Sequence, residues 1–484
     1  MCCFAVNVPA VTGVTKGVLN TVIKILRLFG VNRAVSYGLL AQVWGLGAGL
    51  ITMLIIAIRF SGEQQGFYYT FSSLLALQVF FELGLVSVIS TFASHEFAKL
   101  AWGEGGLLSG DPVALRRFSA LLQKTSRWFG FAAILLVVGL VPVGLLFFNL
   151  KDAGPVGYSW RLPWILAVCG TACNLLVTPF FAVISGSGDV VAINRRQLIG
   201  MVVGFSISWL VIGLNGGLYA ISAVSLGKAV VSWRYLYRDK PALLVLAWNG
   251  SGARKAAGRP EDTIFWSREI WPLQWKMALS WISGYFIFQL FNPVLFHYHG
   301  AVVAGQMGMT LAATNALLAA SITLVNSKSP EFGKLVAVRD WQALDRLFYK
   351  VLSQSIMLVV PGALAGWGAM YLLQLYSRLG QRFIPASQAA YLLAAACIIT
   401  AVYAFAVYLR AHKQEPMVLL SLVTALVQGG ATWFLGKNYG SKEVALGFLC
   451  VNLLSFPFVY LIWQRCRAIW HQPDKLPAAS KDLS

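Results

Sequence analysis

The sequence predicts an all-α polytopic membrane protein, with about 12 transmembrane helices in two six-helix bundles. Charged residues make up only 12% of the 484 residues, whereas soluble globular proteins carry about 25%. Apolar runs close to the ~20 residues that cross a bilayer core recur along the chain. Lys and Arg are concentrated in every second connection between these runs. Together these features exclude a soluble enzyme and a disordered chain, and they attribute the net charge of +20 to loops at the membrane surface rather than to nucleic-acid binding.

Twelve apolar runs are predicted to be spans, and they alternate with short connections. The fifth run is short, and a tight turn over residues 215–217 follows it. The predicted spans are Gly38–Ile58, Phe67–Phe92, Trp128–Phe148, Leu162–Ile184, Leu198–Leu214, Leu218–Leu236, Met277–Phe296, Val302–Val325, Leu352–Leu375, Ala386–Leu409, Met417–Leu435 and Val444–Trp463.

The distribution of basic residues predicts the orientation of these spans. Of the 38 Lys and Arg, 30 fall in or beside the connections on one side, 7 fall on the other side, and Lys228 lies within a span. Connections rich in Lys and Arg remain in the cytoplasm. We therefore expect a multi-pass protein of the inner (plasma) membrane with both termini in the cytoplasm.

The segments outside the spans complete the predicted domain organisation. Val11–Phe29 has a basic face and an apolar face, which is typical of a helix lying on the inner leaflet and not of a cleaved signal peptide. A polar stretch and a Trp-rich interfacial helix are expected between the halves. The predicted units are the N-terminal segment 1–37, the first bundle 38–236, the linker 237–276, the second bundle 277–463 and the cytoplasmic tail 464–484.

A weak internal repeat supports two related halves. The segment Glu96–Leu100 after the second span matches Glu331–Leu335 after the eighth. Asp111 and Asp340 begin a second match shortly afterwards, in the same register. Six spans per half is an even number, so the halves would share one orientation, as in parallel-repeat transporters.

The chain offers little for catalysis or for a cofactor. It has no phosphate-binding GxxxxGK[ST] loop, no HExxH motif and no Asp-x-Asp. Cys169 and Cys173 lie inside an apolar run without a neighbouring His or carboxylate, which favours helix packing over a metal site. We therefore predict a non-enzyme without a metal or a cofactor.

Two charges inside spans are the leading candidates for a functional site. Glu82 lies in the second span and Lys228 in the sixth, at similar predicted depth. Charges inside the membrane are costly unless they meet a partner or water, so the two residues either form a structural ion pair or line a polar cavity. Gln78 lies one turn before Glu82, and Ser225 lies on the face of Lys228, which favours the cavity.

Further polar and basic residues extend this set of candidates. Asn174, Gln289 and Asn315 lie within spans, where interhelical hydrogen bonding is the alternative to a place in a substrate or ion pathway. Arg59 lies at an outer connection. Arg195 and Arg196 open the fifth span from the inner side, where they would either hold anionic lipid and fix the topology or draw an anionic head group inward.

Three motifs in the first half resemble a known family. Arg59–Tyr68 (RFSGEQQGFY) joins the first two spans, Glu82–Leu85 (ELGL) lies deep in the second, and Ser185–Asp189 (SGSGD) with Asn194-Arg195 follows the fourth. This pattern resembles the polysaccharide (O-antigen/lipid-linked oligosaccharide) flippases of the multidrug/oligosaccharidyl-lipid/polysaccharide (MOP) exporter superfamily. The long, Trp-rich connection between the sixth and seventh spans departs from that family's pattern.

The resemblance implies two bundles around a central cleft and the flipping of an undecaprenyl-pyrophosphate-linked oligosaccharide for polysaccharide biosynthesis. It also implies a cationic cavity for the diphosphate and an ion gradient as the driving force. The expected partners are the lipid-linked glycan, membrane lipids, a polysaccharide polymerase and glycosyltransferases. A cation-coupled multidrug antiporter of the same superfamily and a membrane-embedded glycan polymerase or transferase remain the alternatives.

Overall fold

The computed structural model describes residues 33–103, 107–149, 159–249, 271–412 and 414–471. The predicted interfacial helix Val11–Phe29 lies outside the described residues, as do residues 250–270 of the predicted linker and residues 472–484 of the predicted tail.

The described residues of the first half form nine helices, one 3-10 turn and one small hairpin. Their bounds are α1 (Arg33–Arg59), α2 (Gly62–Leu75), the 3-10 turn (Ala76–Gln78), α3 (Val79–Glu82), α4 (Leu85–Phe97), β1 (Leu100–Trp102), β2 (Leu108–Gly110), α5 (Pro112–Asn149), α6 (Arg161–Gly186), α7 (Val190–Gly213), α8 (Tyr219–Asp239) and α9 (Pro241–Asn249).

In the described residues of the second half, all regular elements are helical. Its elements are α10 (Trp271–Phe288), α11 (Phe291–His299), α12 (Ala301–Ala337), α13 (Trp341–Tyr376), a 3-10 turn (Arg378–Arg382), α14 (Ala386–Ala411), α15 (Val418–Asn438) and α16 (Ser441–Trp470). Helices α10 and α11 together form the predicted seventh span, with a break at Gln289 and Leu290.

The all-α polytopic fold is confirmed. Within the described residues, ten helical segments are long and apolar enough to cross a membrane. The segments Gly62–Glu82 and Leu85–Phe97, which meet at a bend, together make an eleventh. The predicted sixth span corresponds to α8, which is 21 residues long and carries Lys228, Arg234 and Arg238. Its length of about 31 Å matches a bilayer core, although its charges lower its hydropathy. Large apolar side chains such as Leu146 (65% exposed) and Leu454 (70% exposed) cover the outer flanks, as expected in lipid.

The second span is not the continuous helix that the apolar run 67–92 predicts. Leu83 (φ 48°) and Gly84 (φ 67°) adopt left-handed backbone conformations, and the two arms of the span meet at 41°. Glycine tolerates this conformation at no steric cost, whereas leucine does not. Glu82 is consequently the last residue of α3, at the break itself.

A short antiparallel hairpin follows the second span, where the sequence predicts no strand. Leu100 pairs with Gly110 and Trp102 with Leu108. Gly110 has φ 140°, a conformation open to glycine but not to residues with a side chain. The hairpin leads directly into α5.

The helices run between two ends of the molecule. One end holds the α1–α2, α11–α12 and α15–α16 connections, and we call it the Gly62 end. The opposite end holds the hairpin and the starts of α5 and α13, and we call it the Asp111 end. The predicted orientation places the Asp111 end in the cytoplasm.

Matching helix caps support the internal repeat. The Asp111 carboxylate accepts a hydrogen bond from the Ala114 backbone N–H at 3.1 Å, and Asp340 accepts one from Ala343 at 2.9 Å. These caps begin α5 and α13, the third long helix of each half, and they satisfy backbone donors that the helix leaves unpaired. The sequence repeat therefore marks equivalent helix starts.

The two halves contact each other closely at the Gly62 end. A Cβ atom on Gly66 would overlap the carbonyl oxygen of Ala301, and one on Gly305 would lie 2.7 Å from the Gly66 nitrogen. Helices α2 and α12 can therefore approach only because both contact positions are glycine. Aromatic rings fill the space beside this contact. The ring centre of Phe296 lies 5.0 Å from that of Phe67 and 5.1 Å from that of Phe148.

Candidate functional site

A cavity of about 690 Å³ lies in the first half, near the Asp111 end. Its walls come from α4, α6, α7 and α8, and Trp281 of α10 closes one side. Polar side chains on all four of these helices face it. They are Ser87, Ser90, Asn174, Thr178, Ser185, Asn194, Arg196, Gln197, Lys228 and Ser232.

Glycines allow the helices around the cavity to pack closely. A Cβ on Gly204 of α7 would lie 2.9 Å from the carbonyl oxygen of Val224 on α8, and one on Gly227 would lie 2.8 Å from the Gly204 Cα. Gly200, one turn away, faces Lys228. Small residues at such crossings give van der Waals contact where the bilayer supplies no hydrophobic force.

Lys228 is the innermost cation of the cavity. It lies 11 positions before Asp239, the end of α8, or about 16 Å from the Asp111 end. Its Nζ atom is 5.8 Å from the centre of the Phe205 ring. Among the described residues, no carboxylate forms an ion pair with it, so its charge is available to an anion in the cavity.

Asn174 is held in place opposite Lys228 by two hydrogen bonds. Its Nδ2 donates to the carbonyl oxygens of Gly170 and Ser225, both at 2.8 Å. These bonds occupy both amide hydrogens, which leaves the side-chain oxygen free to accept a hydrogen bond from a ligand or water. Ser225 thus contributes to the site through its backbone.

Arg196 lies nearer the Asp111 end of the cavity. Its guanidinium pairs with Asp239 at 2.9 Å and lies 4.7 Å from the centre of the Tyr235 ring. Asp239 has a side-chain exposure of 42%, so the pair is accessible to solvent. Beside it, Lys240 pairs with Asp189 at 3.6 Å and lies 3.5 Å from the centre of the Trp102 ring. Burial lowers the pKa of Lys240, and Asp189 opposes that shift.

The charge of the cavity is positive. Lys228 and Arg196 both line it, Arg196 within its ion pair with Asp239, and none of the described lining residues is Asp or Glu. Walls of low dielectric strengthen the field of such charges. The arrangement favours an anionic ligand. Across the described part of the chain, no group of three or more His, Cys, Asp or Glu side chains could hold a metal ion.

Glu82 and Lys228 do not form the ion pair that was one of the two predictions for them. Helix α8 packs against α6 and α7, whereas α3, which ends at Glu82, packs against α5 and α10. No ion pair joins the two residues within the described chain. Glu82 does not line the cavity, and Gln78 lies in the 3-10 turn before it.

The other predicted residues are dispersed. Arg195 is exposed on α7, and Arg59 is exposed at the Gly62 end. Gln289 lies at the break between α10 and α11, and Asn315 is exposed on α12. The cavity therefore gathers Lys228, Asn174 and Arg196 from the predicted set, with Ser225 behind Asn174.

Several polar residues of the cavity were not predicted as site residues. Thr178 and Ser185 continue a stripe along α6 from the predicted Asn174, at spacings of four and seven residues, which the helical period could have revealed. Ser87 and Ser90 begin the arm of the second span after the break, so their orientation depends on a bend that the apolar run does not show.

The overall fold of the chain is shared with solved transporters. No protein-family model matches the sequence, and no curated protein does. In contrast, a multidrug resistance MATE family transporter of the MOP superfamily in an inward-facing conformation matches with a TM-score of 0.61 at 12% identity, covering 92% of this chain and 99% of the other. The chain has the fold of the MOP transporters.

Two more solved structures extend the likeness. The lipid II flippase MurJ in an inward closed conformation matches with a TM-score of 0.54 at 12% identity, over 88% of this chain and 86% of that one. A MOP superfamily transporter from Pyrococcus furiosus matches with a TM-score of 0.50 at 14% identity, over 91% and 96%. Its binding pocket is described as having reverse polarity, which suggests a different function for that protein.

Proposed function

We propose that the protein flips an undecaprenyl-pyrophosphate-linked oligosaccharide from the inner to the outer leaflet of the inner membrane, by alternating access, for polysaccharide biosynthesis. The observation that carries this proposal is the cationic cavity around Lys228 and Arg196. A diphosphate head group is anionic and accepts hydrogen bonds, which matches a lysine, an arginine and the Ser and Thr hydroxyls of the walls.

The positions of the cavity and of the contact between the halves suggest the direction of transport. The halves are joined at the Gly62 end by Gly66 and Ala301, while the cavity extends to the Asp111 end. With the predicted orientation, both termini are cytoplasmic and the cavity receives a head group from the cytoplasmic leaflet. Separation of the halves at the Gly62 end would then release it on the other side.

A cation-coupled multidrug antiporter is the second candidate, because the fold includes multidrug transporters. A cationic drug would be repelled by Lys228, and Glu82 lies outside the cavity lining. The reverse polarity described for the Pyrococcus furiosus pocket supports differences of this kind within the fold. A polymerase or transferase is less favoured, since the lining residues that the structure describes include no pair of carboxylates for acid–base catalysis.

A flippase of this kind works between glycosyltransferases that build the lipid-linked glycan on the cytoplasmic side and a polymerase that uses it outside. We propose these enzymes as its partners, together with the lipids of the inner membrane.

A vesicle assay tests the proposal. The purified protein is reconstituted with undecaprenyl-pyrophosphate-linked oligosaccharide, and an added glycosidase cuts only the glycan of the outer leaflet. The protein should make the inner-leaflet glycan accessible. Lys228→Gln should slow this step by about tenfold or more, since a hydrogen bond to a charged group is worth ~1.5–3 kcal/mol. Lys228→Arg should retain part of the activity, because charge matters more than shape at a mobile phosphate.

Lys437→Gln is the matched control. Lys437 is an exposed lysine at the Gly62 end, beside Trp433 and outside the cavity. Full flipping by Lys228→Gln, or export of a cationic dye with no flipping, would contradict the proposal.

A further inference from the structure

A second cavity of about 690 Å³ lies on the outer flank of the first half, between α5, α6, α8 and α9. The two cavities share the walls α6 and α8 but use opposite faces. On α6, Thr178 and Phe181 face the cationic cavity, whereas Leu176 and Phe180 face this flank groove. On α8, Lys228 faces the cavity and Trp233 the groove. The flank groove therefore lies outside the proposed transport route.

Helix α9 forms one wall of the flank groove and is unusually apolar for a segment beyond a span. Its sequence is PALLVLAWN, with no charged residue. Leu243 is fully buried, and the Leu246 carbonyl oxygen accepts a 3.1 Å hydrogen bond from Gln123 on α5. In contrast, Trp248 is 90% exposed and Val245 is 57% exposed. An apolar helix with such exposure is stable where lipid covers it, at the membrane surface.

The groove has the amphipathic lining of a lipid interface. The ring centres of Trp233 and Tyr237 lie 5.7 Å apart in a tilted contact, and the Trp233 Nε1 donates to the Cys173 carbonyl oxygen at 3.2 Å. Tyr237 is 67% exposed. Aromatic side chains of this kind mark the level of the lipid head groups.

One side of the groove carries an available cation and a hydroxyl. Arg127 on α5 is exposed and forms no ion pair or hydrogen bond with any residue in the described ranges. Next to it, the Ser126 hydroxyl is buried without a hydrogen-bond partner there. An unsatisfied buried hydroxyl beside an arginine matches a phosphate or an ester, because both accept hydrogen bonds.

We propose that the flank groove binds an anionic glycerophospholipid of the leaflet at the Asp111 end. An acyl chain lies between α9 and the Leu176–Phe180 face of α6, and the phosphate binds Arg127 and Ser126. Basic sites between helices on the cytoplasmic side are suited to anionic lipids. The bound lipid contacts the backs of α6 and α8, the helices that carry Asn174 and Lys228, so it would stabilise the walls of the transport cavity.

Thermal unfolding of the delipidated full-length protein tests this site without any transported substrate, so its result is independent of the proposed function. The apparent melting temperature is compared after adding phosphatidylglycerol, phosphatidylcholine or undecaprenyl phosphate. We expect phosphatidylglycerol to raise the melting temperature clearly more than the other two lipids. Arg127→Gln should remove more than half of that difference.

A second variant blocks the groove without removing a charge. Gly130 lines it, and a Cβ there would meet no atom within 4 Å, so Gly130→Phe can fill the groove while α5 stays intact. Gly139→Phe on the same helix also meets open space, and Arg465→Gln removes an exposed arginine at the same end; both controls should keep the full lipid effect. An unchanged lipid effect in Arg127→Gln and Gly130→Phe would overturn the proposal. An equal effect of phosphatidylcholine would also overturn it, and so would an equal effect of undecaprenyl phosphate, which would identify the substrate tail as the occupant.

Discussion

Gln65 of the first half donates a hydrogen bond from Nε2 to the carbonyl oxygen of Gly305 in the second half, at 2.8 Å. The same amide nitrogen donates to the Arg382 carbonyl oxygen at 2.8 Å, and the Arg382 guanidinium donates to the Phe60 carbonyl oxygen. Gln65 is only 1% exposed. These bonds connect the halves beside the glycine contact, so the Gly62 end has to lose them before it can open.

Gly66→Val should separate the two halves at the Gly62 end. Its side chain would overlap the Ala301 backbone, which cannot move aside as a flexible side chain can. Spin labels on α2 and α12 should report a larger distance in the variant than in the unmodified protein. Gly47→Val is the control, because a Cβ at Gly47 meets nothing within 4 Å. An unchanged distance in Gly66→Val would show that this contact does not hold the end closed.

Glu82 and Lys228 should behave as independent residues. Their helices pack against different neighbours, so the effects of Glu82→Gln and Lys228→Gln on apparent stability should add to within ~0.5 kcal/mol. The double variant should not recover the flipping lost in Lys228→Gln. Recovery of both stability and flipping would restore the structural ion pair as the role of these charges.

A pair of residues in direct contact provides the comparison for this set of single and double variants. Arg117 and Glu96 lie 2.7 Å apart with side-chain exposures of 24% and 14%. Their variants Arg117→Gln and Glu96→Gln should show a coupling energy of about 0.5 kcal/mol or more, as contacting residues do. The same measurement thus distinguishes a real pair from two separate charges.

Much of the fold follows from hydropathy, since each apolar run of sufficient length becomes a helix when lipid offers its backbone no other partner. The break at Leu83 and Gly84 could not be predicted in this way, because the apolar run continues through it. The hairpin around Trp102 depends on tertiary contacts, including a hydrogen bond from its indole N–H to the Ser187 hydroxyl.

The depth of the site residues in the membrane could be predicted from the sequence. The direction in which each side chain points around its helix axis could not. Lys228 and Asn174 are recognisable as polar residues in apolar runs, and both line the cavity. Glu82 has a similar predicted depth, but depth does not determine which neighbouring helix its side chain faces. Arg195 and Arg196 illustrate the same limit: successive residues point about 100° apart on a helix, and only Arg196 lines the cavity.

The orientation of the protein can be measured by cysteine labelling. In a background without the native cysteines, Lys442→Cys probes the Gly62 end and Ser109→Cys probes the Asp111 end, and both positions are exposed. The excess of basic residues at the Asp111 end predicts that an impermeant reagent labels Lys442→Cys in intact cells. It should label Ser109→Cys only after the membrane is opened. The reverse pattern would overturn the predicted topology.

Two histidines at the Asp111 end of the second half should make stability depend on pH. His471 stacks on Trp341 at 4.4 Å, and His412 packs on Trp470 at 4.6 Å. The ring of Tyr408 contacts both histidines, and its hydroxyl lies 2.8 Å from Asp345 and 3.2 Å from the His471 Nε2. These contacts connect the ends of α13, α14 and α16.

Burial lowers the pKa of His412 and that of His471, although Asp345 opposes both shifts and Arg467 adds to the second. The unfolded chain therefore binds more protons than the folded one below an unperturbed histidine pKa of about 6.5. The stabilisation is complete above that pH and is lost as the pH falls through the lowered values. The apparent melting temperature should decrease between about pH 7.5 and pH 5.5, and it should decrease less in His412→Gln, which has no imidazole to protonate. His95→Gln changes an exposed histidine and should follow the unmodified protein; equal slopes in His412→Gln and His95→Gln would show that the stacked cluster does not sense protons.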